Sequence, residues 1–166
     1  MNVIKFGGSS LASGSQLKKV VQIVKADAAR KIVVVSAPGK RSTEDEKVTD
    51  LLIGFGMKAL VGHDFSAVLG KIIARYQDIA EELGLGTKII DEIKTNLEDL
   101  VKGNKNEPDY YLDAFKASGE NNNAKLVAAF FNQEGIPARY MDPQEAGLIV
   151  TNEPGNAQVL PESYDR

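Results

Sequence analysis

The pattern of apolar and polar residues begins with two short β-branched runs that predict neighbouring parallel strands. Residues 2–6 and 31–37 are largely apolar on both faces, which is typical of strands in the middle of a parallel sheet. The segment between them carries an apolar stripe at helical spacing, formed by Leu17, Val20, Val21, Val24 and Ala28. Ser13 followed by Gln16 has the pattern of a capping box at the start of this helix. The first 37 residues therefore predict a βαβ unit.

Helical periodicity resumes at Val48 and dominates to about residue 103, in three segments separated by glycine-containing turns. We expect this helical insert, about 48–116, to form a lid or an interface. The loop before it, residues 40–47, holds three acidic and three basic residues and is expected to be a solvated surface loop.

The pattern after residue 108 predicts two further helices and two short strands. Residues 108–116 and 121–133 have helical patterns, and Ala117–Glu120 is expected to be a loop that opens the second helix. Short strands are predicted at 138–141 and 147–151 because turn residues follow both runs. The whole pattern favours an α/β fold with three α/β/α layers and a mainly parallel sheet.

Composition narrows the classes of partner and of chemistry. The chain has 166 residues, of which 43% are hydrophobic and 26% charged, so it suits one globular domain. A net charge of −3 without any Lys/Arg block argues against nucleic acid or an anionic membrane as the main partner. No run approaches membrane-spanning length and no signal peptide is evident, so we expect a cytoplasmic protein that binds small molecules or protein.

The absence of cysteine and the single histidine exclude several kinds of site. Disulfides and thiolate metal sites are impossible, and one histidine cannot build a His-based zinc site. A Ser-His-Asp hydrolase would have to use His63, but Gly62-His63-Asp64 is more typical of a junction between two helices.

The first strand carries Lys5 directly into a turn that begins with Gly7, Gly8 and Ser9. Glycines let backbone N–H groups approach an anion, serine adds a hydroxyl donor, and the helix that starts a few residues later would direct its positive end there. The turn therefore predicts an anion or phosphate site, although an ordinary strand-to-helix turn has the same composition. The spacing matches neither the Walker pattern nor Gly-x-Gly-x-x-Gly.

Three unusual loops are expected to meet where ligands bind in open parallel sheets, beyond the carboxyl ends of the strands. They are residues 5–9, residues 36–39 and residues 117–120. A lysine, serine hydroxyls and one carboxylate suit an anionic substrate that bears an amine.

Structural explanations for the same residues stay open at this point. Lys5 could be a strand-end lysine that reaches solvent, Glu120 could favour a helix dipole from the first turn, and Thr49 could be the N-cap of the helix that follows.

Four motifs in this order closely resemble the N-terminal half of the aspartate kinases, a family within the amino-acid kinase superfamily. They are Lys5–Ala12, Val35–Gly39, Lys47–Leu52 and Ser118–Glu120. The first motif is specific for this family, which usually has threonine in place of Ser9, and the serine keeps the hydroxyl.

The resemblance implies an amino-acid kinase-like fold and transfer of the ATP γ-phosphoryl group to the side-chain carboxylate of L-aspartate, in lysine, threonine and methionine synthesis. It implies that Lys5 contacts the transferring phosphoryl group and that the N–H groups of residues 7–9 cradle it. Ser36 and Thr49 would hold the aspartate, and Glu120 would pair with its ammonium group. Mg²⁺ would accompany the ATP phosphates, with no metal ligand from this chain.

The family's catalytic domain continues well beyond the length of this sequence. Its arginine-containing substrate motif and its nucleotide-binding strands have no counterpart here, so we expect residues 1–166 to be the N-terminal portion of that domain. A homodimer is the expected assembly. Two alternatives are another enzyme of the superfamily and a non-catalytic binding or dimerisation module built from the helices between 48 and 116.

Because half of the expected site has no counterpart here, we predict that the polypeptide 1–166 does not phosphorylate aspartate by itself. A coupled assay for ADP release, calibrated with added ADP, measures this directly. Turnover that depends on both aspartate and ATP would contradict the prediction.

Overall fold

The computed structural model describes residues 1–165 and begins with a parallel pair of strands. Strand β1 (Asn2–Phe6) lies beside β2 (Arg30–Val35), with Ile4 opposite Val33 and Phe6 opposite Val35. Helix α1 (Gly14–Lys25) connects the two strands and buries Leu17, Val20, Val21 and Val24 of its predicted apolar stripe, whereas Ala28 lies beyond the helix and is exposed. The predicted βαβ unit and the α/β class with a parallel sheet are confirmed.

The two faces of this strand pair differ. Ile4, Phe6, Val33 and Val35 pack against the hydrophobic core. The opposite face is open, because Val3 is 61%, Ile32 44% and Val34 47% exposed. The expectation that both faces are buried is therefore not met within residues 1–165.

The predicted helical insert is present as a group of packed helices: α2 (Val48–Leu60), α3 (Ser66–Leu83), α4 (Lys88–Leu100) and α5 (Pro108–Gln133). Helix α2 packs on α3 and α5, and the rings of Phe55 and Phe115 meet edge to face with centroids 4.9 Å apart. Gly84 ends α3 in the left-handed region at φ 67°, where a residue with a Cβ is strained. His63 lies between α2 and α3, as predicted.

The prediction of a loop at residues 117–120 is wrong, because α5 runs without interruption from Pro108 to Gln133. A glycine such as Gly119 is expected to interrupt a helix. In this helix, the absence of a side chain at Gly119 allows close packing. A Cβ on Gly119 would lie 2.8 Å from the Cβ of Ala37 and 2.9 Å from Cδ1 of Leu52. The helix therefore tolerates the glycine so that it can approach the loop after β2.

The two predicted C-terminal strands are also wrong. Residues 138–141 form no strand, since the N–H and C=O groups of Ala138 bond instead to the side-chain amide of Asn132 at 3.1 and 2.7 Å. In 147–151 only Val150 forms an isolated antiparallel bridge, to Val159. A strand requires a continuous partner, and none pairs with these segments among residues 1–165. Short 3-10 helices occupy Gly8–Leu11 and Pro161–Asp165.

The charged loop 40–47 is mostly exposed, as predicted, but ion pairs hold it against α3. Arg75 is 4% exposed, and its guanidinium donates to Asp45 at 2.6 Å and to the carbonyl oxygen of Gly39. Arg41 donates to Asp45 at 3.0 Å and to Asp78 at 2.9 Å. The hydrogen bond from Arg41, supported by Arg75, holds the pKa of Asp45 well below its ordinary value.

In the part of the chain that the structure describes, no helix is long and apolar enough to cross a membrane.

Gly119 and Gly70 offer a matched test of the close packing, since both lie inside helices. We predict that Gly119→Ala lowers the free energy of unfolding by about 1–2 kcal/mol, because overpacking outweighs the gain in helix propensity. Gly70 has no atom within 4 Å of a built Cβ, so Gly70→Ala should raise stability by up to about 1 kcal/mol. Urea unfolding followed by circular dichroism measures both changes. Equal stabilisation by the two substitutions would contradict the packing role.

The ion pairs of Asp45 predict a defined dependence of stability on pH. Since the pKa of Asp45 is lowered on folding, its contribution is complete above the unfolded value of about 4 and is lost as the pH falls towards the folded value. Asp45→Asn should therefore destabilise the chain at pH 7, by an amount that shrinks below pH 4.

Urea unfolding of both proteins between pH 7 and pH 2.5 gives this difference. Glu46→Gln is the control, because it removes an exposed carboxylate of the same loop that pairs with the exposed Lys71. A stability difference for Asp45→Asn that stays constant over this range would rule out the proposed ion pairs as its cause.

Candidate functional site

The turn after β1 presents free backbone donors in the described part of the chain. Within residues 1–165, the N–H groups of Gly7, Gly8 and Ser9 have no hydrogen-bond acceptor. A Cβ built on Gly7 would meet no atom within 4 Å, so open space lies beside this residue. Successive free N–H groups next to open space can bind an anion.

A glycine-to-glycine contact joins this turn to the loop after β2. The N–H of Gly39 donates to the carbonyl oxygen of Gly8 at 2.9 Å, and a Cβ on Gly39 would lie 2.6 Å from the carbonyl carbon of Gly8. Only a residue without a side chain fits at position 39. The N–H of Ser36 also donates to the carbonyl oxygen of Phe6 at 3.2 Å. The predicted meeting of these two loops is confirmed.

Residues 36–39, which we call the Ser36–Gly39 segment, also contact two helices. The N–H of Val48, the first residue of α2, donates to the carbonyl oxygen of Pro38 at 3.2 Å. Gly119 of α5 packs directly against Ala37. Thr49 and Glu120 follow these two contact residues in the chain, so the backbones of both lie close to the segment that contains Ser36.

The predicted site side chains share one property: within residues 1–165, none has a hydrogen-bond or ion-pair partner, and all are exposed or partly exposed. They are Lys5, Ser9, Ser36, Thr49 and Glu120. Some nearby charged groups behave differently, since Arg41, Asp45 and Arg75 are all paired with one another or with other groups. Lys40 and Lys47 of the same loop have no ion pair within residues 1–165 either. The chain thus leaves the predicted residues available to a ligand.

The structure removes two of the three structural explanations for these residues. The N-cap of α2 is Lys47 and Thr49 is already inside the helix, so Thr49 is not a cap. Glu120 lies in the interior of α5 and not in a first turn, so its charge does not serve a helix N-terminus. Lys5 is exposed beside Val34, and a strand-end lysine that reaches solvent stays compatible with that position.

The N-terminus of α1, which is expected from the sequence to direct its positive end at the anion site, is capped by other groups of the protein. The side chain of Ser13 accepts from the N–H of Gln16 at 3.4 Å, and the carboxylate of Glu82 accepts from the N–H of Ser15 at 3.0 Å. Protein groups already neutralise the N-terminus of α1. An anion in the turn after β1 would therefore depend on the free N–H groups of residues 7–9 and on Lys5.

Buried Tyr76 helps to locate the Glu120 carboxylate. The Tyr76 hydroxyl is fully buried and donates to the carbonyl oxygen of Gly119 at 3.0 Å. Burial raises the pKa of Tyr76 far above its ordinary value, and the negative charge of Glu120 adds to the rise. The Tyr76 hydroxyl therefore keeps its proton and stays a hydrogen-bond donor to the part of α5 that carries Glu120.

Two further residues hold the site and were not singled out as site residues from the sequence. Arg75 donates to the carbonyl oxygen of Gly39, and Nδ2 of Asn123 donates to the carbonyl oxygen of Ser36 at 2.6 Å. A signal was available, because each is a polar residue at helical spacing from apolar core positions. Arg75 lies one helical turn after Ile72, and Asn123 lies one helical turn before Leu126.

A cavity of about 810 Å³ lies elsewhere, between α4, α5 and residues 140–145. Asn122, Lys125 and Tyr140 are among the residues that line it, and none of the predicted site residues does. We place the candidate site at the Ser36–Gly39 segment, because the turn with the free N–H groups and the helices that carry Thr49 and Glu120 contact that segment.

The sequence matches the model of the amino acid kinase family over residues 1–165. Aspartokinase 3 of Bacillus subtilis (strain 168) is 58% identical over 164 residues, which are 99% of this chain and 36% of that protein. The chain thus spans about a third of the length of this relative.

Two solved structures share the fold. The aspartate kinase of Clostridium acetobutylicum superimposes with a TM-score of 0.70 at 34% identity, over 89% of this chain and 31% of that one. Aspartokinase III of E. coli, solved in complex with aspartate and ADP, gives a TM-score of 0.80 at 23% identity, over 97% of this chain and 35% of that one. With the family match along residues 1–165 and the shared fold, the chain belongs to the amino acid kinase family.

Proposed function

We propose that this chain forms the part of an aspartate kinase active site that holds the acceptor carboxylate and the transferring phosphoryl group. The parent reaction is transfer of the ATP γ-phosphoryl group to the side-chain carboxylate of L-aspartate, which yields 4-phospho-L-aspartate. The 58% identity to a bacterial aspartokinase supports this reaction within the family.

One observation carries the proposal. Three free backbone N–H groups lie in the turn that makes the contact between Gly8 and Gly39, and the segments that meet the loop after β2 carry one unpaired lysine, three unpaired hydroxyl groups and one unpaired carboxylate. Donors and a cation suit phosphate, and hydroxyls with a carboxylate suit a substrate that has both carboxylate and ammonium groups.

The chemistry requires positioning and charge neutralisation more than proton transfer. An oxygen of the ionised aspartate side chain forms the new bond to the γ-phosphorus, while the bond from that phosphorus to the β–γ bridging oxygen breaks and ADP leaves. No proton moves, so the site requires no general base. It must hold two anions in line and stabilise the charge of the transition state.

Each predicted residue has a role that fits its position. Lys5 contacts the transferring phosphoryl group, and the N–H groups of residues 7–9 cradle it. Ser36 and Thr49 hold the aspartate through their hydroxyl groups, and Glu120 pairs with its ammonium group.

ATP would bring Mg²⁺ on its phosphates. Residues 1–165 contain no cluster of three or more His, Cys, Asp or Glu side chains that could hold a metal, and the candidate site has a single carboxylate. The residues present therefore do not form a cation cage, and no step proposed here depends on one. The homodimer stays a prediction.

The role of Glu120 predicts how the chain discriminates between two similar dicarboxylates. L-aspartate carries an ammonium group that succinate lacks, so the wild-type chain should bind L-aspartate more tightly. Glu120→Gln removes a charged partner worth about 1.5–3 kcal/mol, and we expect aspartate binding to weaken by about 10- to 100-fold while succinate binding changes little. Isothermal titration calorimetry with both ligands measures the two effects.

Asp109→Asn is the matched control, because Asp109 is an exposed carboxylate of the same helix outside the site. It should leave both affinities unchanged. Equal aspartate affinities of the wild-type chain and the Glu120→Gln variant would contradict the assigned role. No binding of aspartate by a chain that forms a stable dimer would favour the non-catalytic module.

A further inference from the structure

Two buried polar side chains from different helices hold the two ends of the Ser36–Gly39 segment. Asn123 of α5 is 0% exposed, and its Nδ2 donates to the carbonyl oxygen of Ser36 at 2.6 Å. Arg75 of α3 is 4% exposed, and its guanidinium donates to the carbonyl oxygen of Gly39. Neither residue is among those that we assign to contact with substrate.

The Ser36–Gly39 segment depends on such contacts because it lies between β2 and α2 and has no regular secondary structure of its own. Within residues 1–165, its backbone N–H groups bond to the end of β1 and to the turn that follows it, through the bonds from Ser36 to Phe6 and from Gly39 to Gly8. The carbonyl groups at the two ends, of which that of Gly39 belongs to a buried residue and that of Ser36 to a partly buried one, accept from side chains of the packed helices. Asn123 and Arg75 are those donors.

Both side chains are incompletely satisfied, which argues against a role in stability alone. Nε of Arg75 and Oδ1 of Asn123 are buried without a hydrogen-bond partner among residues 1–165. Burying an unpaired polar atom opposes folding, and an apolar side chain at either position would avoid that cost. The contact with the segment is the one that both residues share.

We propose that Asn123 and Arg75 are positioning residues that act on different halves of the site. Asn123 holds the Ser36 end, where the acceptor would bind. Arg75 holds the Gly39 end, which contacts Gly8 and through it the free N–H groups that would receive the phosphoryl group. The identity of the two ligands rests on the proposed function. The hold of the two side chains on the backbone of the segment does not depend on that function.

Amide hydrogen exchange tests, without any ligand, whether the two side chains hold the backbone of the segment in place. In the ¹⁵N-labelled chain, Arg75→Met should accelerate exchange of the Gly39 N–H at least tenfold relative to the core amide of Val21 in α1. Asn123→Leu should do the same for the Ser36 N–H. Lys71→Met is the control, because it removes an exposed cation of α3 that pairs with the same loop region, and it should change neither amide.

Nuclear magnetic resonance titrations test the division between the two halves. Tripolyphosphate stands in for the ATP phosphates, and L-aspartate is the acceptor. Arg75→Met should weaken the tripolyphosphate response of Gly7, Gly8 and Ser9 at least tenfold and leave aspartate binding within about twofold. Asn123→Leu should produce the opposite pattern. Arg75→Lys should restore only part of the phosphate response. The restoration is incomplete because one ammonium group cannot bond to both Gly39 and Asp45 with the geometry of a guanidinium.

The results separate the two proposals. Exchange at Gly39 and Ser36 that changes no more than exchange at Val21 would overturn the positioning role. If both variants lost affinity for both ligands together with global stability, the positioning role would also be overturned. That pattern indicates a purely structural role. Selective exchange effects in a chain that binds neither probe would support positioning of the segment and refute the proposed function.

Discussion

The contact between Gly8 and Gly39 is the constraint on which the rest of the site depends. Two chain segments follow neighbouring strands and approach until their backbone atoms are in contact. The Gly39 N–H bonds to the Gly8 carbonyl group at 2.9 Å. A side chain at position 39 would separate them, because its first carbon would lie 2.6 Å from the Gly8 carbonyl carbon. With the segments joined, the free N–H groups of the first turn lie beside Ser36. Gly119 extends the same principle to α5, because without a side chain it packs directly against Ala37.

Charge is distributed around this contact in two distinct ways. Arg41, Asp45 and Arg75 form a paired network that fastens the loop between β2 and α2, and the depressed pKa of Asp45 reflects those pairs. Lys5 and Glu120, which the proposed mechanism requires, have no partners within residues 1–165. Paired charges hold the backbone, whereas unpaired charges are available to substrate. A phosphoryl-transfer site needs both, because the transition state must meet groups that are already in place.

Much of the fold could be predicted from local pattern. The βαβ unit and the helices between residues 48 and 103 follow from short β-branched apolar runs and from period-3.6 signals, which act within one segment. The predictions failed where a distant contact decided the structure. Gly119 predicted a break, but packing against Ala37 keeps it inside a helix. Ala138 predicted a strand, but the side chain of Asn132 takes its backbone hydrogen bonds. The N-terminus of α1 predicted an anion site, but Glu82, far away in the chain, caps it.

The sequence by itself determined the residue types that carry the chemistry and the order in which they occur: a lysine, a glycine turn, hydroxyl groups and a carboxylate. It did so because motif residues are read directly and their chemistry is intrinsic. Only the tertiary structure decided which of them lie together, which polar groups are left without partners, and that Arg75 and Asn123 hold the Ser36–Gly39 segment. Those properties depend on distances between residues far apart in the chain, and such distances exist only when the helices are packed.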